Sequence, residues 1–125
     1  MLVDTDVLIW YLRGCPKAAQ LLDSLAELKL SAVTYIELAQ GCRNKQELGR
    51  LKRDFTRRKA TILPITEAIS NRAIALIEQH ALTGGLQLAD ALIAATALEH
   101  ALILVTANTR HFRPIPGLSI QAFAP

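Results

Sequence analysis

One stretch limits the possible folds more than any other. Leu86-Gln87-Leu88-Ala89-Asp90-Ala91-Leu92-Ile93-Ala94-Ala95-Thr96-Ala97-Leu98 is apolar almost all the way round a helix. A helix without a polar face belongs in an interior, covered on all sides. It nevertheless carries a carboxylate, Asp90, about a turn inside its start. Burying an unpaired carboxylate costs several kcal/mol, so Asp90 is expected to be paired, hydrogen-bonded, metal-bound or protonated. The fold must wrap this helix and still bring a partner to its first turn.

Short apolar runs and helical periodicities alternate along the rest of the chain. Residues 1–5 read as a buried strand with Asp4 at its C-terminal end, and residues 6–13 as a short helix closed by Gly14 and Pro16. Residues 17–28 are amphipathic, with Ala18, Leu21, Leu22 and Leu25 on one face. Residues 30–33 form a second strand, and Thr34 opens a helix to about Gln40. The stretch 43–59 suits helices joined by a turn near Asn44 or Gly49, with Leu48, Leu51 and Phe55 as a thin apolar stripe. A third strand, 61–65, is placed near a sheet edge because Pro64 cannot donate to a ladder. Thr66 caps a helix to about His80, with Ile69, Ala73, Leu76 and Ile77 inward. Thr83-Gly84-Gly85 is a loop, 102–106 reads as a central parallel strand, and 118–123 as a last strand after Pro114, Pro116 and Gly117. Strands alternating with helices predict an α/β fold of three layers, α/β/α, around a mainly parallel sheet of four to five strands.

A chain of 125 residues makes one domain, 1–125, large enough to need no covalent staple. Cys15 and Cys42 show no CxxC or Cys/His spacing, which suits a reduced, cytoplasmic chain. No apolar run approaches about 20 residues and the N-terminus is not a signal peptide, so no membrane association is expected. Charge is uneven. Arg43, Lys45, Arg50, Lys52, Arg53, Arg57, Arg58 and Lys59 face only Glu47 and Asp54, so a block of net +6 sits in a chain of net +3. A basic block beside an acidic remainder points to a polyanion held near an acidic site; a solvated helix face is the plainer explanation.

Ligands of open α/β sheets bind beyond the carboxyl ends of the strands. The polar residues there are Asp4, Thr5 and Asp6 after the first strand, Thr34 and Glu37 after the second, and Thr106 and Asn108 after the central one. Asp90 starts the apolar helix beside them. Clustered carboxylates repel, so such a set calls for a cation, and all-oxygen ligands favour Mg²⁺ or Mn²⁺ over zinc. Each residue also has a local explanation. Thr34-Tyr35-Ile36-Glu37 matches a capping box, Asp90 complements a helix dipole, and Asp4, Asp6 and Asn108 suit turns or caps. Their joint appearance after successive strands carries the weight. His80, His100 and His111 lack ligand-like spacing and read as structural or surface residues.

Four segments resemble the motif regions of PIN-domain proteins: Asp4-Thr5-Asp6-Val7-Leu8-Ile9, Ser31-Ala32-Val33-Thr34-Tyr35-Ile36-Glu37-Leu38, Leu88-Ala89-Asp90-Ala91-Leu92-Ile93-Ala94-Ala95-Thr96-Ala97 and Val105-Thr106-Ala107-Asn108-Thr109-Arg110-His111-Phe112. Size and the ending Ile115-Pro116-Gly117-Leu118 are similar to the VapC-type toxins of toxin–antitoxin pairs. The resemblance implies a Mg²⁺- or Mn²⁺-dependent endoribonuclease with Asp4, Glu37, Asp90 and Asn108 as its catalytic set. Asp4 and Asp90 become the principal metal ligands, Glu37 the holder or general base of a water, and Asn108 and Thr106 the orienting groups, with Thr5 and Asp6 in support. Asn108 stands where many members have Asp, which removes one negative charge; Asp6, where many have Ser, Thr or Asn, is placed to compensate. The resemblance further implies a small DNA-binding antitoxin of the VapB type, a toxin homodimer and assembly of both into a larger complex. Trp10, Tyr11 and Leu12 suit either an antitoxin groove or ordinary packing. The basic block 43–59 suits an RNA backbone.

Two other readings compete. Asp4-Thr5-Asp6-Val7 also resembles the nucleophile motif of haloacid-dehalogenase-like phosphatases, but their chemistry needs a later lysine and none follows Lys59. A catalytically degenerate RNA-binding or interaction module is the other, and Asn108 is its argument.

Overall fold

A computed structural model describes residues 1–125. Five short strands, β1 (Leu2–Val3), β2 (Lys29–Ser31), β3 (Thr61–Leu63), β4 (Leu104–Thr106) and β5 (Ile120–Ala122), lie in the order β3-β2-β1-β4-β5. Every neighbouring pair is parallel. Seven helices cover the sheet: α1 (Thr5–Leu12), α2 (Pro16–Ser24), α3 (Ala32–Gln40), α4 (Lys45–Arg57), α5 (Glu67–Gly84), α6 (Leu88–Glu99) and α7 (Thr109–Phe112).

The layering follows from strand alternation, since successive side chains point to opposite faces. Leu2 and Leu104 join one core with Ile69, Leu76, Ile93 and Phe112, under α5, α6 and α7. Val3 and Val105 join the other with Val7, Leu22, Leu38, Leu51 and Phe55, under α1 to α4. This is the expected three-layer α/β/α arrangement, and its sheet is wholly rather than mainly parallel.

Strands are shorter than their apolar runs because helix caps begin where the chain leaves the sheet. Asp4 Oδ1 accepts from the Thr5 amide at 2.8 Å, so Asp4 caps α1 and Thr5 is already helical. Ser31 Oγ accepts from the Val33 amide at 3.1 Å, so α3 starts at Ala32 and not at Thr34. Pro16 both follows the end of α1 and opens α2, where a missing N–H costs nothing. Asn44 caps α4, which runs unbroken through Gly49. β3 stops before Pro64 and is an edge strand, as its proline predicts. Thr66 caps α5 as expected, but the helix continues past His80 through Thr83 and Gly84, and left-handed Gly85 (φ 71°) closes it.

The apolar helix is α6, and its core face is alanine: Ala91, Ala94, Ala95 and Ala97 are buried with Ile93. Small side chains let α6 lie close to both α5 and the sheet. It begins two residues later than expected. Leu86 stays buried outside the helix, while Leu88 at the first turn is 74% exposed. The helix is therefore covered along its body but wet at its start, where Asp90 sits.

Candidate active site

Sheet register builds the first part of the site. β1 pairs with β4 as Leu2 with Leu104 and Val3 with Val105, so the next residues, Asp4 and Thr106, stand side by side at the carboxyl edge. The Asp4 amide donates to the Val105 carbonyl at 2.9 Å, and Thr106 Oγ1 donates to Asp4 Oδ2 at 2.7 Å. Thr106 Oγ1 in turn accepts from the Asn108 amide at 3.0 Å. Asp6, in the first turn of α1, accepts from the Ala107 amide at 3.1 Å through Oδ2. Its other oxygen, Oδ1, is buried without a hydrogen-bond partner.

Glu37 arrives from α3. Its Oε1 accepts from Thr5 Oγ1 at 2.8 Å, and Thr5 Oγ1 also lies 2.9 Å from Thr34 Oγ1. Thr34 and Glu37 share a helix face at a spacing of three, and both turn toward α1. The alternative local explanation of Glu37, a Thr34–Glu37 capping box, does not hold, because Ser31 caps α3 and Thr34 lies within it.

Asp90 arrives from α6. Asp90 Oδ2 accepts from the Gln87 amide at 3.2 Å, the cap contact expected of an acid in a first helical turn. The same oxygen lies 3.1 Å from His111 Nδ1, which is also 3.1 Å from the Asn108 side-chain nitrogen. An ionised carboxylate can only accept. Nδ1 cannot donate to Asp90 and accept from the Asn108 nitrogen at once, so the ring tautomer decides which of the two contacts is the hydrogen bond. His111 is the residue that the sequence reading missed: it is neither a mere surface nor a core side chain but the link between Asp90 and Asn108. The available signal was its spacing of three from Asn108, which puts both on one side of α7.

Electrostatics mark Asp4 as the strained member. Burial first, then the neighbouring Asp6 and Asp90 charges, push its carboxyl up to about 7, although Thr106 and the Thr5 amide pull the other way. Asp6 is also raised by burial, against the lowering hydrogen bonds of the Val7 and Ala107 amides.

A family model described as PIN domain matches residues 1–118. The chain belongs to the PIN-domain family. It is 37% identical over 118 residues to Ribonuclease VapC10 of Mycobacterium tuberculosis, covering 90% of this chain and 85% of that protein. It is 35% identical over 122 residues to Ribonuclease VapC19 of the same organism, covering 94% and 95%. Among solved structures it is similar to a toxin-antitoxin complex from Klebsiella pneumoniae, with a TM-score of 0.79 and 32% identity over 94% of this chain and 93% of that one. PIN-domain membership leaves the phosphatase reading of Asp4 and Asp6 without support.

The donor set of this PIN-domain chain fits a hard divalent cation. It is all oxygen, it holds an orphaned buried carboxylate oxygen on Asp6, and a positive ion relieves the repulsion on Asp4. No group of three or more His, Cys, Asp or Glu side chains is drawn together closely enough to hold a metal ion by itself.

The basic block is sorted by its contacts. Arg58 is withdrawn from any RNA surface. It donates to Tyr11 Oη at 3.0 Å and Asp23 at 2.9 Å, lies over the Tyr11 ring at 4.8 Å, and its side chain is 19% exposed. Arg57 pairs with Asp54 at 2.6 Å, and Arg43 with Glu47 at 3.2 Å. Lys45, Arg50, Lys52, Arg53 and Lys59 are exposed without an ion pair. Tyr11 is likewise committed, donating to Asp54 at 2.8 Å, while Trp10 and Leu12 of the same helix remain exposed. No helix is long and apolar enough to cross a membrane.

Proposed function

We propose that the chain is a Mg²⁺- or Mn²⁺-dependent endoribonuclease and the toxin of a toxin–antitoxin pair. The observation that carries this reading is Asp4: a buried carboxylate at a strand end, pressed by Asp6 and Asp90 and braced by Thr106. Ribonuclease-named relatives and the likeness to a toxin-antitoxin complex support the substrate class and the partner, a small DNA-binding antitoxin of the VapB type. A homodimer that joins the antitoxin in a larger complex belongs to the same reading.

In this mechanism Asp4 and Asp90 would hold the metal. The bound cation would make water more acidic and neutralise charge on the scissile phosphate. Glu37, with one oxygen fixed by Thr5, keeps the other to orient the attacking water and take its proton. Thr106 holds Asp4 and the Asn108 backbone in one arrangement. His111 fixes the direction in which Asp90 and the Asn108 amide point. Attack by water on phosphorus breaks the bond to the 3′ oxygen, which takes a proton from solvent, and leaves 5′-phosphate and 3′-hydroxyl ends.

The test is incubation of the purified chain with RNA, with Mg²⁺, Mn²⁺ or chelator, followed by sequencing of the ends. Metal-dependent cuts with 5′-phosphates are expected. Asp90→Asn should lower cleavage at least about 100-fold without unfolding the chain; full activity in that variant removes Asp90 from the mechanism. Asn108 favours one second reading, a non-catalytic RNA-binding module, and RNA binding with no cleavage in any metal would establish it.

A further inference from the structure

A trough of about 1420 Å³ runs between the α1–α2 corner and α3–α4. Thr5 and Glu37 are among its lining residues, so it reaches the acidic site. Its lining includes Leu38, Leu51, Arg13, Arg50 and Arg53. These three guanidinium groups are exposed and make no ion pair within 4.0 Å, whereas the acids beside them are taken: Glu47 by Arg43, Asp54 by Arg57 and Tyr11. Gly49 has a role here. A Cβ at this position would meet the Arg53 guanidinium at 3.2 Å. A glycine within a helix costs about 1 kcal/mol relative to alanine, and here it leaves the room in which Arg53 lies back along α4.

We propose that this trough carries the single-stranded RNA flank leading to the scissile phosphate, with Arg13, Arg50 and Arg53 taking its backbone phosphates. The inference rests on the ribonuclease reading and assigns the path of that substrate. A phosphodiester placed at Asp4 and Glu37 continues as a chain of further phosphates, and those beyond the reach of a metal need cations from the protein. The three unneutralised arginines that line the same trough as Glu37 supply them. The space is that of a few nucleotides, too small for a duplex turn. Arg13 lies outside the basic block 43–59 and enters only because the end of α1 faces α4 across the trough. Arg57 also lines the trough but is paired with Asp54, and Arg58 lies outside the lining, bonded to Asp23 and Tyr11.

The experiment measures binding of a fluorescent oligouridine of about twelve nucleotides to the Asp90→Asn chain in chelator, by anisotropy across a salt series. Arg13→Glu, Arg50→Glu and Arg53→Glu should each weaken binding roughly 3- to 10-fold. The triple variant should weaken it at least about 50-fold and flatten the log–log salt slope by about 2, near 0.7 for each lost phosphate contact. Lys17→Glu, an equal charge change on exposed α2 outside the trough, is the control and should lower affinity less than 2-fold. Unchanged melting temperatures exclude misfolding. A triple variant that binds like the Lys17→Glu control overturns the assignment while leaving the ribonuclease reading intact. A triple variant that keeps RNA but loses an oligoglutamate peptide gives the trough to an acidic protein segment and also overturns it. Failure of the parent chain to bind or cleave any RNA removes the ribonuclease reading, and the trough's substrate with it.

Discussion

On one face of the sheet, α5, α6 and α7 bury Ile69, Leu76, Ile93 and Phe112 against Leu2 and Leu104. On the other, α1 to α4 bury Val7, Leu22, Leu51 and Phe55, but α4 is also tied down by polar contacts, from Tyr11 to Asp54 and from Arg58 to Tyr11 and Asp23. The first face holds its helices by close alanine packing, and that rigidity delivers Asp90 to the strand ends. The second holds a strongly charged helix through a few directional bonds and leaves a trough open above them. One face positions the carboxylate from the dry body of its helix; the other keeps charges wet and available to a polyanion.

The strongest way to break this contrast is to open the packed face. Ile93→Ala is expected to cost about 2–4 kcal/mol, because it removes the largest fully buried side chain of α6, whose other buried residues are small. Thermal melting should show a fall of roughly 10 °C or more, and a shift under about 3 °C would mean that α6 is held by something other than its packing. Asp4 gives a pH test of the strand ends. Its carboxyl is raised from 3.8 to about 7, so between those values the folded chain keeps a proton that the unfolded chain has lost. Stability of the metal-free chain should therefore be highest below about pH 4 as far as Asp4 is concerned, and fall as pH rises through 7. Removing the charge in Asp4→Asn should flatten that fall, and millimolar Mg²⁺ should raise the melting temperature mainly above pH 7. A pH profile identical in Asp4→Asn would assign the effect to other groups.

Smaller effects are expected on the charged face. Arg58→Ala should cost about 1–2 kcal/mol, since it removes the half-buried hydrogen bonds to Tyr11 and Asp23 and the packing over the ring. Arg57→Ala, one residue away but 75% exposed on its side chain, should cost less than about 0.5 kcal/mol. Equal costs in denaturant unfolding would show that the Arg58 network does not hold α4.

Much of this was legible in the chain. Element types and order followed from apolar runs of four or five residues alternating with helical periodicity, and Pro64 correctly sent β3 to an edge. The acids at strand ends were visible because ligands gather there in any open α/β sheet. Boundaries were not, because Asp4 and Ser31 act as helix caps directly at the strand ends and Thr34, an equally good cap by type, lies three residues too late. Glu37 looked like a local cap partner of Thr34; its hydrogen bond goes instead to Thr5, 32 residues away in sequence. His111 carried no signal by its spacing to other histidines, since its partners are Asp90 and Asn108. The basic block showed a sum of charge but not its distribution, because neutralisation by Asp23, Glu47 and Asp54 depends on which helices meet.

The apolar stretch 86–98 and the acid within it thus determined, by themselves, that a buried helix would bring a carboxylate to an edge of the core. Periodicity and burial are properties of consecutive residues, and a sequence displays them directly. Which partner meets that carboxylate was decided only by the tertiary structure. The β1–β4 register set Asp4 beside Thr106, the turn into α7 set His111 against Asp90, and the crossing of α4 over α1 chose which arginines stayed free. Those contacts join residues far apart along the chain at about 3 Å, a distance that only the packed sheet and its two helical layers impose.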